Sequence, residues 1–143
     1  MPPLPLPEQM LAGQVPFNIL GRIGREEPDL SKFSEEAVRE YVRCFDSRRA
    51  IHSSCEDYRA AGTIDLEHDR ADRRRKLAMP VQALWGKQGV IASLFDCLAD
   101  WREVAENVTG RAQDCGHFVP EEVPKETLAA IERFLRQHPM KST

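Results

Sequence analysis

The strongest constraint on the fold lies in the second half of the chain, where strand and helix patterns alternate. Val81–Gly86 is a short, mostly apolar run that ends at a glycine, a pattern typical of a buried parallel strand. Residues 94–106 then follow a helical pattern, residues 108–112 a strand pattern, and residues 125–137 an apolar helical stripe. Because strand–helix–strand connections are right-handed, this order predicts two adjacent parallel strands covered by helices.

The first half of the chain carries only helical signals. Ser34 is a candidate N-cap because Glu35 and Glu36 follow it, where the helix dipole favours negative charge. Residues 1–8 carry four prolines, so we expect them to form a connection and not to begin a helix. We expect helical segments over residues 8–11, 17–23, from Ser34 onward, 48–61 and 64–77, with a polar loop over residues 24–31.

Length and composition narrow the class of protein. The chain has 143 residues, 41% of them hydrophobic and 30% charged, so it forms one modest domain or part of a larger one. Two strands do not make a stable sheet alone, so we expect self-association, as in a homodimer, or completion by further strands.

Charge and cysteine usage exclude several functions. The formal charge is −3, and the one basic run, residues 73–76, lies among acidic residues, which argues against nucleic-acid binding. The four cysteines form no Cys-x-x-Cys pair and follow no secretory signal, so we expect reduced thiols in a cytoplasmic protein without a bound metal or cofactor. No apolar run approaches the length of about 20 residues that spans a membrane.

A candidate catalytic residue lies in residues 114–122, Asp-Cys-Gly-His-Phe-Val-Pro-Glu-Glu. His117 follows a glycine turn at the end of the second predicted strand. A histidine held there can turn its ring toward a cleft and act as a general base. On spacing alone, an ordinary loop histidine is the favoured interpretation, and the motifs below favour the functional one.

Two sets of motifs resemble known proteins. Leu-Trp-Gly at residues 84–86 and Asp-Cys-Gly-His-Phe-Val-Pro-Glu-Glu-Val-Pro at residues 114–124 resemble the last third of the α/β-hydrolase fold. Residues 55–69, Cys-Glu-Asp-Tyr-Arg-Ala-Ala-Gly-Thr-Ile-Asp-Leu-Glu-His-Asp, resemble the cap segment of haloacetate (fluoroacetate) dehalogenases. Residues 5–8 and 95–102 also resemble that family, and the blocks keep the family's order.

The resemblance implies a fold class of α/β, as a partial α/β-hydrolase fold. Residues 1–78 would be a helical cap portion, and residues 79–143 the C-terminal portion of the core with its last two parallel strands. The implied reaction is a two-step displacement, in which an aspartate attacks the carbon that bears the halogen and a histidine-activated water cleaves the ester. His117 matches the base, and Tyr58 matches the tyrosine of the halide pocket. Without its motif, Tyr58 would be taken for a half-buried helix tyrosine.

The sequence also departs from that family. No Gly-x-Asp-x-Gly elbow for the nucleophile occurs in the 143 residues, and the matching acid and His-Trp halide pair would lie upstream of Met1. Asp96 is the nearest acidic candidate, but it belongs to the block at residues 95–102. We therefore expect a C-terminal half that binds a small haloacid and turns it over only when an N-terminal half completes it.

Three alternatives remain open at this point. The chain could be a catalytically dead remnant that binds or interacts, or a part of another α/β hydrolase such as an epoxide hydrolase or haloalkane dehalogenase. The motif around Tyr58 disfavours the second of these. The third alternative is an unrelated small helical protein, which the ordered blocks disfavour.

Overall fold

A computed structural model describes residues 6–26 and 30–139 of the chain. The chain divides into two compact units, with the boundary between Asp72 and Arg73. The first unit is helical throughout its described residues, whereas the second combines helices with a sheet.

The first unit consists of five α-helices and one short 3₁₀ helix among the described residues. These are α1 (Leu6–Leu11), α2 (Val15–Glu26), the 3₁₀ helix Leu30–Lys32, α3 (Glu35–Phe45), α4 (Arg48–Ala61) and α5 (Ile64–Asp72). The predicted cap of α3 is confirmed, because the Ser34 hydroxyl accepts a hydrogen bond from Ala37 N at 3.1 Å. The predicted bounds of α4 are also confirmed, and Ser47 caps its start in the same way.

Three predicted boundaries in this unit are wrong. Helix α1 begins at Leu6 although Pro7 follows, because a proline in the first turn lacks only an N–H that would have no helical partner anyway. Residues 1–5 of the predicted connection lie outside the described residues. Helix α2 continues to Glu26, through Gly24, so the predicted loop over residues 24–31 starts too early, and its residues 27–29 lie outside the described residues. Helix α5 ends at Asp72 and not at Leu77, whose backbone instead bridges Ala105.

The core of the first unit is small and contains one acid. Its buried apolar side chains are Val15, Ile23, Phe33, Ile51 and Cys55. Glu8, on α1, is completely buried beside them.

The second unit contains a parallel two-stranded sheet with helices. Its elements are β1 (Val81–Gly86), α6 (Val90–Leu94), α7 (Cys97–Val104), β2 (Val108–Gln113), α8 (Val119–Glu122) and α9 (Pro124–Gln137). The strands pair in parallel, with Val81 opposite Val108 and Gly86 opposite Gln113. The predicted pair of adjacent parallel strands is therefore confirmed.

The helix predicted over residues 94–106 is shorter in the structure, where only α7 (Cys97–Val104) lies within that range and a separate helix, α6, precedes it. Helix α6 ends at Leu94, and Asp96 caps the start of α7 by accepting a hydrogen bond from Ala99 N at 3.0 Å. Because a carboxylate at the N-cap satisfies an otherwise unpaired backbone donor, Asp96 favours a new helix start over a continuous helix. The acid noted above as the nearest candidate for catalysis is thus a helix cap.

Two further sequence predictions concern the cysteines and membrane-spanning segments. All four cysteines are free thiols, and Cys55 and Cys115 are buried. No helix among residues 6–26 and 30–139 is long and apolar enough to cross a membrane.

Candidate active site

His117 lies just beyond the carboxyl end of β2, on the turn that leads into α8. In open parallel sheets, ligands bind outside the carboxyl ends of the strands, so this is where a reactive side chain is expected. Its side chain is exposed, and neither ring nitrogen has a hydrogen-bond or ion-pair partner within the described ranges. The ring meets the ring of Phe118 edge to face, with centroids 4.9 Å apart and an interplanar angle of 89°.

The backbone before His117 is tied to the end of β1. Lys87 N donates to the Gln113 carbonyl at 2.8 Å, and Gln88 N donates to the Cys115 carbonyl at 3.0 Å. Gly86 lies so close to the turn that a Cβ there would overlap the carbonyl oxygen of Gly116. The Trp-Gly ending of the first strand therefore has a physical reason, since only glycine lets the two backbones approach this closely.

The backbone on both sides of His117 is tied to Glu122, at the end of α8. Its Oε2 accepts a hydrogen bond from Gly116 N at 2.7 Å, and its Oε1 accepts one from Phe118 N at 2.9 Å. From the sequence, Glu122 was only one member of the motif over residues 114–124, with no role of its own. A sequence signal for its role was present, because Glu122 lies four residues after Phe118, the N-cap residue of α8, whose side chain makes no capping hydrogen bond.

Tyr58 lies on α4 in the first unit, and its side chain is 69% exposed. It lines a cavity of about 310 Å³ within that unit, together with Pro7, Leu11, Arg22, Cys55 and Arg59. The lining combines apolar residues with the side chains of Arg22, Tyr58 and Arg59, and the guanidinium of Arg59 is already paired with two carboxylates.

Beside this cavity lies a cluster of charged groups in which Glu8 is buried and its partners are partly exposed. Arg59 donates to both carboxylate oxygens of Glu8, from Nη1 to Oε1 at 2.8 Å and from Nη2 to Oε2 at 3.0 Å. His52 Nδ1 lies 3.2 Å from the same Oε1, and Arg59 also meets Glu56 at 2.5 Å. The hydrogen bonds from Arg59 lower the pKa of Glu8 to about 2, and its burial opposes them. The sequence carries no local signal for this cluster, because Glu8 and Arg59 lie 51 residues apart.

Glu8, His52 and Glu56 are close enough to each other to be considered as metal ligands. The guanidinium of Arg59 already lies between the two carboxylates and supplies the positive charge that a metal ion would bring. A cation in the same place would repel that guanidinium at short range, so we assign the cluster to structure and not to metal binding.

The second unit contains a cavity at one end of its sheet and a buried amide side chain at the other. A cavity of about 540 Å³ is lined by Pro80, Glu106, Asn107, Val108, Thr109 and His138, at the amino ends of the strands and thus at the opposite end of the sheet from His117. At the carboxyl end, the Gln113 side chain is buried, and its Nε2 has no hydrogen-bond partner among the described residues. A buried donor of this kind is rare in a complete structure.

Each of the two predicted site residues thus belongs to a different unit. His117 lies on the turn after β2, and Tyr58 lies on α4 beside the 310 Å³ cavity. Their catalytic roles stay predictions at this point.

The parallel strands and the hydrogen-bonded turn that carries His117 define the class of protein. The chain is a partial α/β-hydrolase fold. It is 31% identical to a fluoroacetate dehalogenase from Burkholderia sp. over 134 residues, which cover 93% of this chain and 44% of that protein. It is 41% identical to a soluble epoxide hydrolase from Corynebacterium sp. over 103 residues, which cover 71% of this chain and 34% of that protein. No family model matches the sequence.

Among solved structures, ALR0039 from Nostoc sp. PCC 7120, which carries the name of an α/β hydrolase, superposes with a TM-score of 0.87. It is 46% identical, and the match covers 94% of this chain and 46% of that one. The chain therefore spans less than half the length of each of these three relatives. The predicted fold class and the resemblance to fluoroacetate dehalogenase are confirmed. Because the relatives carry names of two different hydrolases, the fold alone does not decide the reaction.

Proposed function

We propose that this chain supplies the general base and a substrate-binding surface of a haloacetate dehalogenase. In this proposal, residues 1–78 belong to the cap and residues 79–143 to the α/β-hydrolase core. The observation that carries it is the exposed, unpaired imidazole of His117 on a turn whose backbone is held from two sides. The identity to a fluoroacetate dehalogenase over 93% of the chain supports the choice of reaction.

The proposed reaction has two steps. A carboxylate oxygen forms a bond to the carbon that bears the halogen, and the carbon–halogen bond breaks as the halide leaves with the electron pair. A water molecule then attacks the ester carbonyl while His117 takes its proton, and the hydroxyacid and the free carboxylate are released. The Tyr58 hydroxyl donates a hydrogen bond to the halide as negative charge grows on it.

The polypeptide of residues 1–143 is proposed to be inactive by itself. It contains no Gly-x-Asp-x-Gly elbow, and the His117 ring has no carboxylate partner in the described part of the chain. The buried, unpartnered Nε2 of Gln113 supports this, because a buried amide donor is normally paired and further residues would pair it. A lone base without an ester offers almost nothing against a carbon–halogen bond.

The test compares the isolated chain with a chimera. The chimera joins the part of the Burkholderia fluoroacetate dehalogenase that the match leaves uncovered to the start of this chain. We expect no halide release above background from the isolated chain and steady release from the chimera with fluoroacetate or chloroacetate. Halide release by the isolated chain that His117→Ala abolishes would contradict its inactivity.

Two variants of the chimera test the roles of the residues. His117→Ala should release halide once per site and then accumulate the ester, visible as a mass increase, whereas His68→Ala should behave as the parent. Tyr58→Phe should slow the first step by roughly 10²–10³, the usual effect of losing one such donor, and more with fluoride than with chloride. The matched control is Tyr41→Phe, which removes a phenol hydroxyl elsewhere in the same unit.

An epoxide hydrolase is the second candidate, since the chain is 41% identical to such an enzyme over 71% of its length. The same chimera distinguishes the two, because an epoxide hydrolase would produce diol from an epoxide and release no halide from haloacetates. A chimera that folds and performs neither reaction would favour the remaining alternative, a binding remnant without catalysis.

A further inference from the structure

One carboxylate holds the two backbone amides that flank the candidate base. Gly116 N and Phe118 N, on either side of His117, donate to the two oxygens of Glu122 at 2.7 and 2.9 Å. Both bonds are part-buried and have an ionised acceptor, which makes them stronger than bonds between neutral groups. On the side of α8, the peptide segment around His117 is therefore held by a single side chain.

The local sequence is suited to this arrangement. Phe118 is the N-cap residue of α8 and makes no capping hydrogen bond with its side chain, and Glu122, four residues later, reaches back to its N–H. Gly116 leaves room for the carboxylate, because a Cβ at that position would lie only 3.0 Å from Glu122 Oε1. Shortening the acid to aspartate would remove a methylene from its reach, and glutamine would offer one acceptor oxygen in place of two.

The other side of the turn is also anchored. Backbone bonds from Lys87 and Gln88 hold the carbonyls of Gln113 and Cys115, and Gly86 packs against the carbonyl of Gly116. The backbone from residue 113 to 118 is therefore held between the end of β1 and the end of α8. The imidazole of His117 projects from this held backbone, is exposed, and meets the ring of Phe118 edge to face.

We propose that Glu122 is a positioning residue for His117. Its carboxylate fixes the backbone on both sides of the base, so that the imidazole keeps one direction while it takes and returns a proton. Glu122 is not the acid that orients the ring, because the ring nitrogens of His117 have no partner in the described ranges. The effect of Glu122 on catalysis rests on the proposed function of His117. Its effect on the direction of the His117 ring is independent of that function.

The test is carried out by NMR on the full 143-residue chain. In Glu122→Ala, hydrogen exchange of the Gly116 and Phe118 amides should accelerate roughly ten-fold or more, as expected when a hydrogen bond to a charged group is lost. The ring-current shift that Phe118 imposes on the His117 ring protons should collapse at the same time. Glu122→Gln should keep only one of the two amides protected, because it has one acceptor oxygen.

The matched control is Glu126→Gln, an exposed acid in the first turn of the next helix, which should change neither amide nor ring. A wild-type measurement guards against variants that do not fold. The Gly116 and Phe118 amide shifts should move together as acid protonates Glu122, and should still do so in His117→Ala. The proposal would be overturned if the Gly116 and Phe118 amide shifts moved at different pH values. It would also be overturned if a folded Glu122→Ala variant kept the ring-proton shifts of His117 unchanged.

The chimera separates this proposal from the proposed function. Glu122→Ala should there slow ester hydrolysis and leave the halide burst unchanged, so that kcat and KM fall together while kcat/KM stays the same. If Glu122→Ala alters the amides and the ring while His117→Ala leaves ester hydrolysis unaffected, the positioning of the ring holds and the catalytic role of His117 fails.

Discussion

At the scale of single residues, two acids with the same pKa differ in what they contribute to stability. Hydrogen bonds from Arg59 hold the pKa of Glu8 at about 2, and hydrogen bonds from Arg43, with a smaller one from Cys44, hold the pKa of Glu40 at about 2. Glu8 has no exposed surface, whereas the Glu40 side chain is 53% exposed. Because solvent screens exposed ion pairs, the pair at Glu8 is expected to stabilise the fold more.

This difference predicts the acid sensitivity of the first unit. The pKa of Glu8 is lower in the folded state than its ordinary value of 4.5, so its contribution is fully present above that value. It is lost as the pH falls from about 4.5 through about 2. Glu8→Gln should lower the thermal midpoint at pH 7 and flatten its dependence on pH between these values, followed through amide signals of α4. Glu40→Gln is the matched control and should change the thermal midpoint and its pH dependence much less. Equal effects of the two variants would contradict the larger contribution of the buried pair.

The sequence predicted the site residues unevenly, for a physical reason. His117 and Tyr58 could be named because their motifs are contiguous, so type and spacing are visible in the chain. The pairing of Glu8 with Arg59 could not, because it joins residues 51 apart through the packing of α1 on α4. The role of Glu122 lay between these cases, since its partners are only four and six residues away and a capping rule would have found them.

At the scale of elements, the end of β1 and the histidine turn form one packed contact. A Cβ at Gly86 would overlap the Gly116 carbonyl, so Gly86→Ala requires the backbone to move. We expect a loss of unfolding free energy on the order of 1–3 kcal/mol, the usual cost of overpacking. The shifts of the Gly116 and His117 amides should change with it.

Gly89→Ala is the control for that prediction, because its nearest neighbours would lie 3.4 Å from the new Cβ, without overlap. It should stay within about 0.5 kcal/mol of the wild type in a urea titration. A Gly86→Ala variant as stable as Gly89→Ala, with unchanged amide shifts, would mean that the contact does not constrain the turn.

Element boundaries were predicted well where a cap or glycine marks them and poorly where tertiary contacts decide. Ser34 and Gly62 mark helix ends that the structure confirms. By contrast, the basic run before Leu77 continues the helical pattern, but the Leu77 backbone bonds to Val104 and Glu106 instead, which ends the helix earlier. Such a contact with a distant segment leaves no local signal in the sequence.

At the scale of the whole molecule, the second unit presents an open sheet edge. Val81 N donates toward the side of β2, and because N–H groups alternate along a strand, those of Gln82 and Leu84 point to the other edge of β1. No strand pairs with that edge among the described residues. Helix α9 also exposes an apolar stripe of Leu128, Ile131 and Leu135. Both features favour association.

We expect the isolated chain to associate with itself through the β1 edge. Sedimentation velocity across a hundred-fold range of concentration should show a species that grows with concentration, together with a concentration-dependent thermal transition. Leu84→Pro should weaken the association, because proline removes an outward N–H and leaves the bonds to β2 in place. Leu128→Glu, which places a charge on the α9 stripe, is the comparison and should weaken it less. If Leu128→Glu alone produces a monomer, α9 and not the strand edge forms the contact; a concentration-independent monomer of the wild-type chain would contradict both.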